Sequence, residues 1–298
     1  MTAPTLAPRN ATAHEHWTEW AILILPGIIW GASYLFIAES LTAIRPEGVT
    51  FVRTLIGFCV LSTVPAARRP IRREDRNKVG LLGVIWLAFP MSMFPFAEQH
   101  VSSALTGMLN SAIPLFATIV AAMLVQKLPS RTVVIALSVG LFGAFLIAAP
   151  SLGEGHSEAW GISLILAALV SYGFAINLAG PSQQRNSAAP VIWRAIGVAV
   201  VLTAPFGIPA LLDSHWNWRA GLSMLVLGGL GTGVANILAA TAAGRGGAVR
   251  ASAMSFIIPA VSLVLGVTVR NEHVAALSIV GGVVCVLGAY SLATAARR

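Results

Sequence analysis

Runs of about twenty apolar residues follow one another along almost the whole chain, at roughly 21–40, 48–66, 79–97, 101–125, 131–149, 159–179, 189–211, 220–241, 248–269 and 274–294. An α-helix rises 1.5 Å per residue, so about 20 such residues cross the ~30 Å hydrocarbon core of a bilayer. The runs do not alternate apolar with polar residues, as strands of a membrane β-barrel would. The expected fold is therefore all-α and integral to the membrane, with ten transmembrane helices. Composition agrees, because 56% of the 298 residues are hydrophobic and only 10% are charged. The mean hydropathy is +0.80, whereas a soluble domain carries about a quarter charged residues.

The net charge of +8 does not point to nucleic acid, since the cations sit in short clusters between apolar runs rather than in a stripe with interleaved aromatics. Counted loop by loop with the amino terminus inside, one side holds Arg9, Arg68, Arg69, Arg72, Arg73, Arg76, Lys78, Lys127, Arg131, Arg185, Arg245, Arg250, Arg297 and Arg298, fourteen in all. The other side holds Arg45, Arg219 and Arg270, while Arg53 and Arg194 fall inside runs. This bias predicts a multi-pass protein of the cell (inner) membrane with both termini cytoplasmic. Residues 1–20 then form a cytoplasmic tail, which lacks the layout of a cleaved signal and is expected to be retained. Cys59 and Cys285 are isolated inside apolar runs and read as packing residues.

Two runs, "NSAIPLFATIVAAMLVQK" and "SFIIPAVSLVLGVTVRNE", carry Pro114 and Pro259, 145 positions apart. Aligning the halves there also matches Ile113 with Ile258, Val139 with Val284, Gly143 with Gly288 and Ala144 with Ala289. Trp30 falls against Tyr172, and Arg53 against Arg194, at slightly different offsets. Five spans per half is an odd number, so the second copy is inverted. The expectation is two inverted five-helix repeats, 21–149 and 150–298, an architecture that recurs in secondary transporters.

The residues "WGASYLF" (30–36), Arg53, "SSALTGMLNSAIPLFATIVAAMLVQK" (102–127), Gly140, Gly143 and their second-half counterparts resemble the EamA group of the drug/metabolite transporter superfamily, over about 20–294. Within it the chain is similar to YddG-type exporters of aromatic amino acids, through "GMLNSAIP" and Asn236. The resemblance implies a carrier of small organic solutes, exported by alternating access through a central cavity. The family often has an acid after the fourth helix; this chain has Gln126 and Lys127 there, and keeps Glu272 in the second copy.

Several residues are candidates for contact with a solute. Proline at position i leaves the carbonyl of i−4 without its helical donor, here Asn110 and Ser255. Such a carbonyl must face protein, water or a ligand, or else the proline only shapes packing. Asn110, Asn177 and Asn236 are amides in apolar runs, suited to joining helices or, for Asn110 and Asn236 by resemblance, to a cavity. Ser111 stands beside Asn110. Trp30, Tyr34, Met91, Met93, Phe94, Met108, Tyr172, Met254 and Phe256 are aromatic or thioether residues that suit either a pocket for flat apolar groups or lipid-facing filler. Pro114 and Pro259 are expected to act as hinges. Arg53 either receives a solute carboxylate, snorkels, or pairs with an acid such as Glu39. Glu98 and His100 close the third run and are candidates for carrying a proton.

No Walker motif is present, and "GLGTGVANI" (229–237) lies in a run with no preceding strand, so it fails as a dinucleotide loop. No run sets His beside an acid, and no HExxH occurs, so an enzyme is not expected. No metal or other cofactor is expected. The expected partners are a small-molecule substrate and the bilayer, with the chain as a monomer.

Overall fold

A computed structural model describes residues 13–153, 155–239, 241 and 254–295, with side chains from residue 24 onward except that of Ser255. Among these residues the regular secondary structure is all helical, without a strand. The helices are α1 (Ala13–Leu41), α2 (Pro46–Ser62), α3 (76–97), α4 (Ser103–Val125), α5 (Arg131–Leu152), α6 (His156–Asn186), α7 (Ala188–Leu212), α8 (Trp218–Ala239), α9 (Met254–Arg270) and α10 (Ala276–Ala295). Eight are long and apolar enough to cross a bilayer; α2 and α9, at 17 residues each, fall just short of that length. Helix α1 spans Ala13–Leu41 and so starts ahead of the apolar run. Residues 1–12 lie outside the described part.

The outer surface is studded with large apolar side chains, among them Phe142, Phe145, Val201 and Phe206, each more than half exposed. Water would penalise such a surface at about 25 cal/mol per Å², whereas hydrocarbon does not.

The most extensive helix pair is α5 against α10. Gly140 meets Gly288 backbone to backbone, and Gly143 meets the backbone of Cys285. Numbering rises along α5 as it falls along α10, so the two run antiparallel. The offset of 145 carries Gly140 to Cys285 and Gly143 to Gly288, which turns each contact into the other. A helix packed antiparallel on its own counterpart through a self-reciprocal contact is what an inverted pair of repeats produces.

Other packings exchange in the same way. Helix α1 lies on α9 at Gly31, where an added Cβ would come 2.7 Å from Val261 Cβ; α6 lies on α4 at Gly173, where it would come 2.9 Å from the Phe116 carbonyl oxygen. A Cβ added to Gly83 of α3 would come 2.6 Å from Val198 Cβ and 2.7 Å from the Ala195 carbonyl oxygen; one added to Gly228 of α8 would come 2.6 Å from Ile56 Cβ and 3.0 Å from the Arg53 carbonyl oxygen. This last pair corrects the alignment of Arg53 with Arg194, because Ala195 takes the equivalent place. Arg194 lies one position round its helix, donates to the carbonyls of Pro190 (3.1 Å) and Ala67 (3.5 Å), and rests over the Trp193 ring.

Both α3 and α8 pass through a π-helical stretch, Gly83–Ala88 and Val226–Val234. Both α4 and α9 end in a left-handed residue, Gln126 and Asn271, each at φ 54°. Pro114 does not leave an open carbonyl: the chain tightens into a 3₁₀ turn at Asn110–Ala112, and the Ile113 N–H bonds to the Asn110 carbonyl. The expected vacancy at that carbonyl is thereby filled, because a 3₁₀ bond reaches three residues instead of four.

The two ends differ in charge. At the basic end Asp75 is held by Arg185 and by Asn186 Nδ2 (2.7 Å), joining the start of α3 to the end of α6. Arg185 first and Asn186 second hold its carboxyl down at about 2, below the usual ~3.9. At the acidic end Arg270 pairs with Glu39 and, through Nε, with Glu272 (3.3 Å). The Glu272 carboxylate also accepts from Ser103 N (3.1 Å), Ser103 Oγ (2.8 Å) and Ala104 N (2.9 Å), clasping α1, α4 and α9 together.

Two outcomes check this packing. Gly288→Val should destabilise detergent-purified protein by about 1–3 kcal/mol through overpacking against α5, read as a lower thermal midpoint. Gly221→Ala, with nothing within 4 Å, should leave the midpoint unchanged, and equal midpoints for both variants would refute the close approach. A carboxyl with a depressed folded value stabilises above its unfolded value and loses that contribution as pH falls through the folded one. Asp75→Asn should therefore lower the midpoint equally at about pH 6 and about pH 8; a difference between them would contradict an Asp75 ionised throughout.

Candidate functional site

A cavity of about 210 Å³ lies between the halves, lined from α1, α2, α3, α4, α6, α8 and α9. Its walls repeat across the two copies. Ile113 faces Ile258, and Met91 of α3 and Asn236 of α8 are 145 positions apart, as are those isoleucines. Trp30 and Tyr172 take corresponding places on α1 and α6. The cavity therefore lies where the first, third and fourth helices of both copies meet, with α2 added from the first copy.

The π-helical stretch of α8 sets the polar geometry. Widening the turn takes backbone groups out of the regular ladder and turns them to neighbours. The Gly231 carbonyl accepts from Trp30 Nε1 (3.0 Å), and the Thr232 carbonyl accepts from Asn236 Nδ2 (2.8 Å). Thr232 Oγ1 reaches back to the Leu227 carbonyl (3.3 Å) and accepts from Arg53 Nε (3.3 Å). One irregular segment thus orients an indole, an amide and a guanidinium towards one space.

Arg53 is 4% exposed and lines the cavity. It does not snorkel. Glu39, one expected partner, is taken by Arg270, and among the described residues no acid pairs with Arg53. A buried guanidinium with donors to spare is costly unless water or a ligand completes it. Within the 3₁₀ break itself, Asn110 Oδ1 is buried without a hydrogen-bond partner among the described residues. The cavity therefore holds an uncompensated cation and an unsatisfied acceptor. Around them stand Tyr34, Met91, Phe94 and Trp86, with Tyr34 edge-on to Phe94 at 5.7 Å and Phe94 stacked on Tyr172 at 6.1 Å.

Of the expected solute-contacting residues, Trp30, Tyr34, Met91, Phe94, Asn110, Tyr172 and Asn236 line this cavity, with Arg53. Met108 does not; it is 2% exposed, with its terminal methyl directed at Gly282 of α10. Ser111 is turned away as well, donating to the Met108 carbonyl (2.6 Å) and to Cys285 Sγ (3.4 Å). Met254 is buried outside the lining, and Phe256 packs on Tyr290 at 6.2 Å. The side chain of Ser255 lies outside the described residues. Asn177 joins helices, bonding the Ala117 and Gly173 carbonyls at 2.9 Å each.

Pro114 follows the 3₁₀ break of α4, and Pro259 lies within α9. His100 faces away from the cavity, its Nδ1 paired with Ser157 Oγ at 2.7 Å in a separate polar pocket at the acidic end. Ser33, Trp86, Thr232 and Ile176 were not expected. The glycine run around Thr232 was the available sign, since small residues permit the irregular turn. Among the described residues no cluster of His, Cys, Asp or Glu could hold a metal ion.

The profile of the EamA-like transporter family matches residues 18–149 and again 159–294. The chain is similar to two transporters of Bacillus subtilis, YoaV (22% identical, covering 88% of this chain and 92% of that one) and YcxC (24%, 92% of each). A transporter of Archaeoglobus fulgidus is 22% identical over about half of each chain, 51% of this one and 54% of that one. A solved crystal structure shares the fold, with a TM-score of 0.63 at 18% identity over 95% of this chain and 98% of that one. Two profile matches and a fold built on two reciprocal halves agree: the chain belongs to the EamA-like transporter family, whose members carry small solutes across membranes.

Proposed function

We propose that this transporter is a secondary carrier of small zwitterions, neutral and aromatic amino acids first. Arg53 receives the solute carboxylate, Asn110 Oδ1 accepts from its ammonium, and Trp30, Trp86, Met91 and Phe94 hold an apolar or flat side chain. The observation that carries this reading is the buried guanidinium facing the cavity with no acid paired to it among the described residues. A carboxylate there gains charge-assisted hydrogen bonds in a dry setting, each contributing about 1.5–3 kcal/mol. Aromatic preference follows from the lining and from the similarity to YddG-type exporters.

Ten spans carry the chain through the inner membrane, with the basic end and both termini cytoplasmic. Transport proceeds by alternating access as a monomer, the halves rocking about the α5–α10 contact while α4 and α9 flex at Pro114 and Pro259. The thioether and aromatic walls also favour a second reading, a broader metabolite or drug exporter, since Met side chains adapt to varied shapes.

Flux of labelled phenylalanine into proteoliposomes containing only this protein tests the assignment. Arg53→Gln should raise KM for phenylalanine by about 10–150-fold, and Asn110→Ala by about tenfold, with folded yield preserved. Met108→Leu, outside the cavity, should leave KM unchanged. Phenethylamine, which lacks the carboxylate, should compete far more weakly than phenylalanine. Equal competition would remove Arg53 from the site and favour the broader exporter.

A further inference from the structure

Glu98 follows the last turn of α3 and carries both of its carboxylate oxygens buried, with no hydrogen-bond partner among the described residues. No other carboxylate there is orphaned on both oxygens. Its position explains why that matters. The charges within electrostatic reach are Glu272 and Arg270 of the acidic-end clasp on one side, and Arg53 of the cavity on the other. Tyr34 of α1 also lies within reach. Phe94, one turn earlier on α3, lines the cavity, and His100, two residues on, lines the acidic-end pocket, so Glu98 lies along the chain between the two.

An ionised carboxylate with neither a hydrogen bond nor a salt bridge in a water-poor setting is strongly disfavoured. A protonated carboxyl in the same place lacks only ordinary hydrogen bonds. His100, two residues on, is no substitute, because Ser157 Oγ already satisfies its Nδ1 and it faces a different pocket. The two cations in reach are committed differently. Arg270 is held by Glu39 and Glu272, whereas among the described residues Arg53 meets only a neutral hydroxyl. Opening the clasp would free Arg270 and admit water beside Glu98, and both changes favour loss of its proton. Burial and exposure of one carboxyl are therefore tied to closing and opening of one end of the molecule.

We propose that Glu98 is a proton-binding site of this carrier. Its carboxyl gives its proton to water at the acidic end when the clasp is open and takes one up from the basic-end side through the cavity once the clasp has closed, so one proton crosses per cycle in step with the solute. The coupling rests on the carrier reading above, whereas the protonation does not. Two measurements on the whole protein separate them. Infrared difference spectra of purified protein in lipid, taken between neutral and alkaline pH without solute, should show a protonated-carboxyl band that is absent from Glu98→Gln and kept, shifted, in Glu98→Asp. A spectrum unchanged by Glu98→Gln overturns the proposal, whatever the protein transports.

In proteoliposomes, a pH gradient of one polarity should drive labelled phenylalanine to accumulate by up to about tenfold per pH unit for one proton per solute. Glu98→Gln should bring the label only to equilibrium. Equilibrium without accumulation in the wild-type protein leaves a facilitative carrier and sinks the coupling. Label that never crosses sinks the carrier reading instead, and leaves the infrared result to decide whether Glu98 binds a proton.

Discussion

A guanidinium in the middle of a bundle that faces hydrocarbon on every outer side cannot be solvated by its surroundings, and Arg53 is such a group. Its cost fixes what the neighbouring helices must do. Thr232 supplies one oxygen, and it can do so because α8 widens into a π turn there. The remaining donors face the cavity, which must therefore hold water or an anionic group. Placement of the charge and irregularity of the helix are one device.

The device depends on a frame that keeps the halves in register. Antiparallel α5 and α10 meet through Gly140, Gly143, Gly288 and the backbone of Cys285, with no room for side chains between them. In lipid no hydrophobic force draws helices together, so close backbone approach and dispersion do the work. The clasp of Glu39, Arg270 and Glu272 acts at one end only. Its first-copy counterpart position is Lys127, so the ends of this molecule are held by unlike chemistry even though the helices are related by symmetry.

Much of the frame was legible in the sequence. The apolar runs announced the helices, and the spacing of Pro114 and Pro259 announced the repeat, because prolines and glycines at helix contacts are hard to move without rebuilding the backbone. The site was legible in part. Asn110, Asn236, Trp30 and Tyr34 stood out as polar or aromatic residues in apolar helices, yet so did Met108, Ser111 and Phe256, which face α10 or pack on Tyr290. A helix that is apolar all round has no hydrophobic face to orient it, so which residues look inward is settled by packing. Arg53 and Arg194 looked alike for the same reason. One position of rotation, about 100° on a helix, separates the cavity from the Ala67 loop. At Pro114 the freed carbonyl could have met protein, water or a ligand, or the proline could only have shaped packing; a local 3₁₀ turn satisfies it, and the unpaired oxygen there among the described residues is the side-chain Oδ1 of Asn110.

The central claim is that Arg53 is the carboxylate site. The most direct test is a solid-state NMR dipolar-recoupling measurement on the lipid-reconstituted protein, with phenylalanine labelled at its carboxyl carbon and arginine labelled at the guanidinium nitrogens. The account predicts a carboxyl-to-guanidinium distance of about 3–4 Å, as a direct N–H···O pair requires, lost in Arg53→Gln. A bound phenylalanine whose carboxyl carbon shows no close guanidinium, or shows one that survives the loss of Arg53, would contradict it.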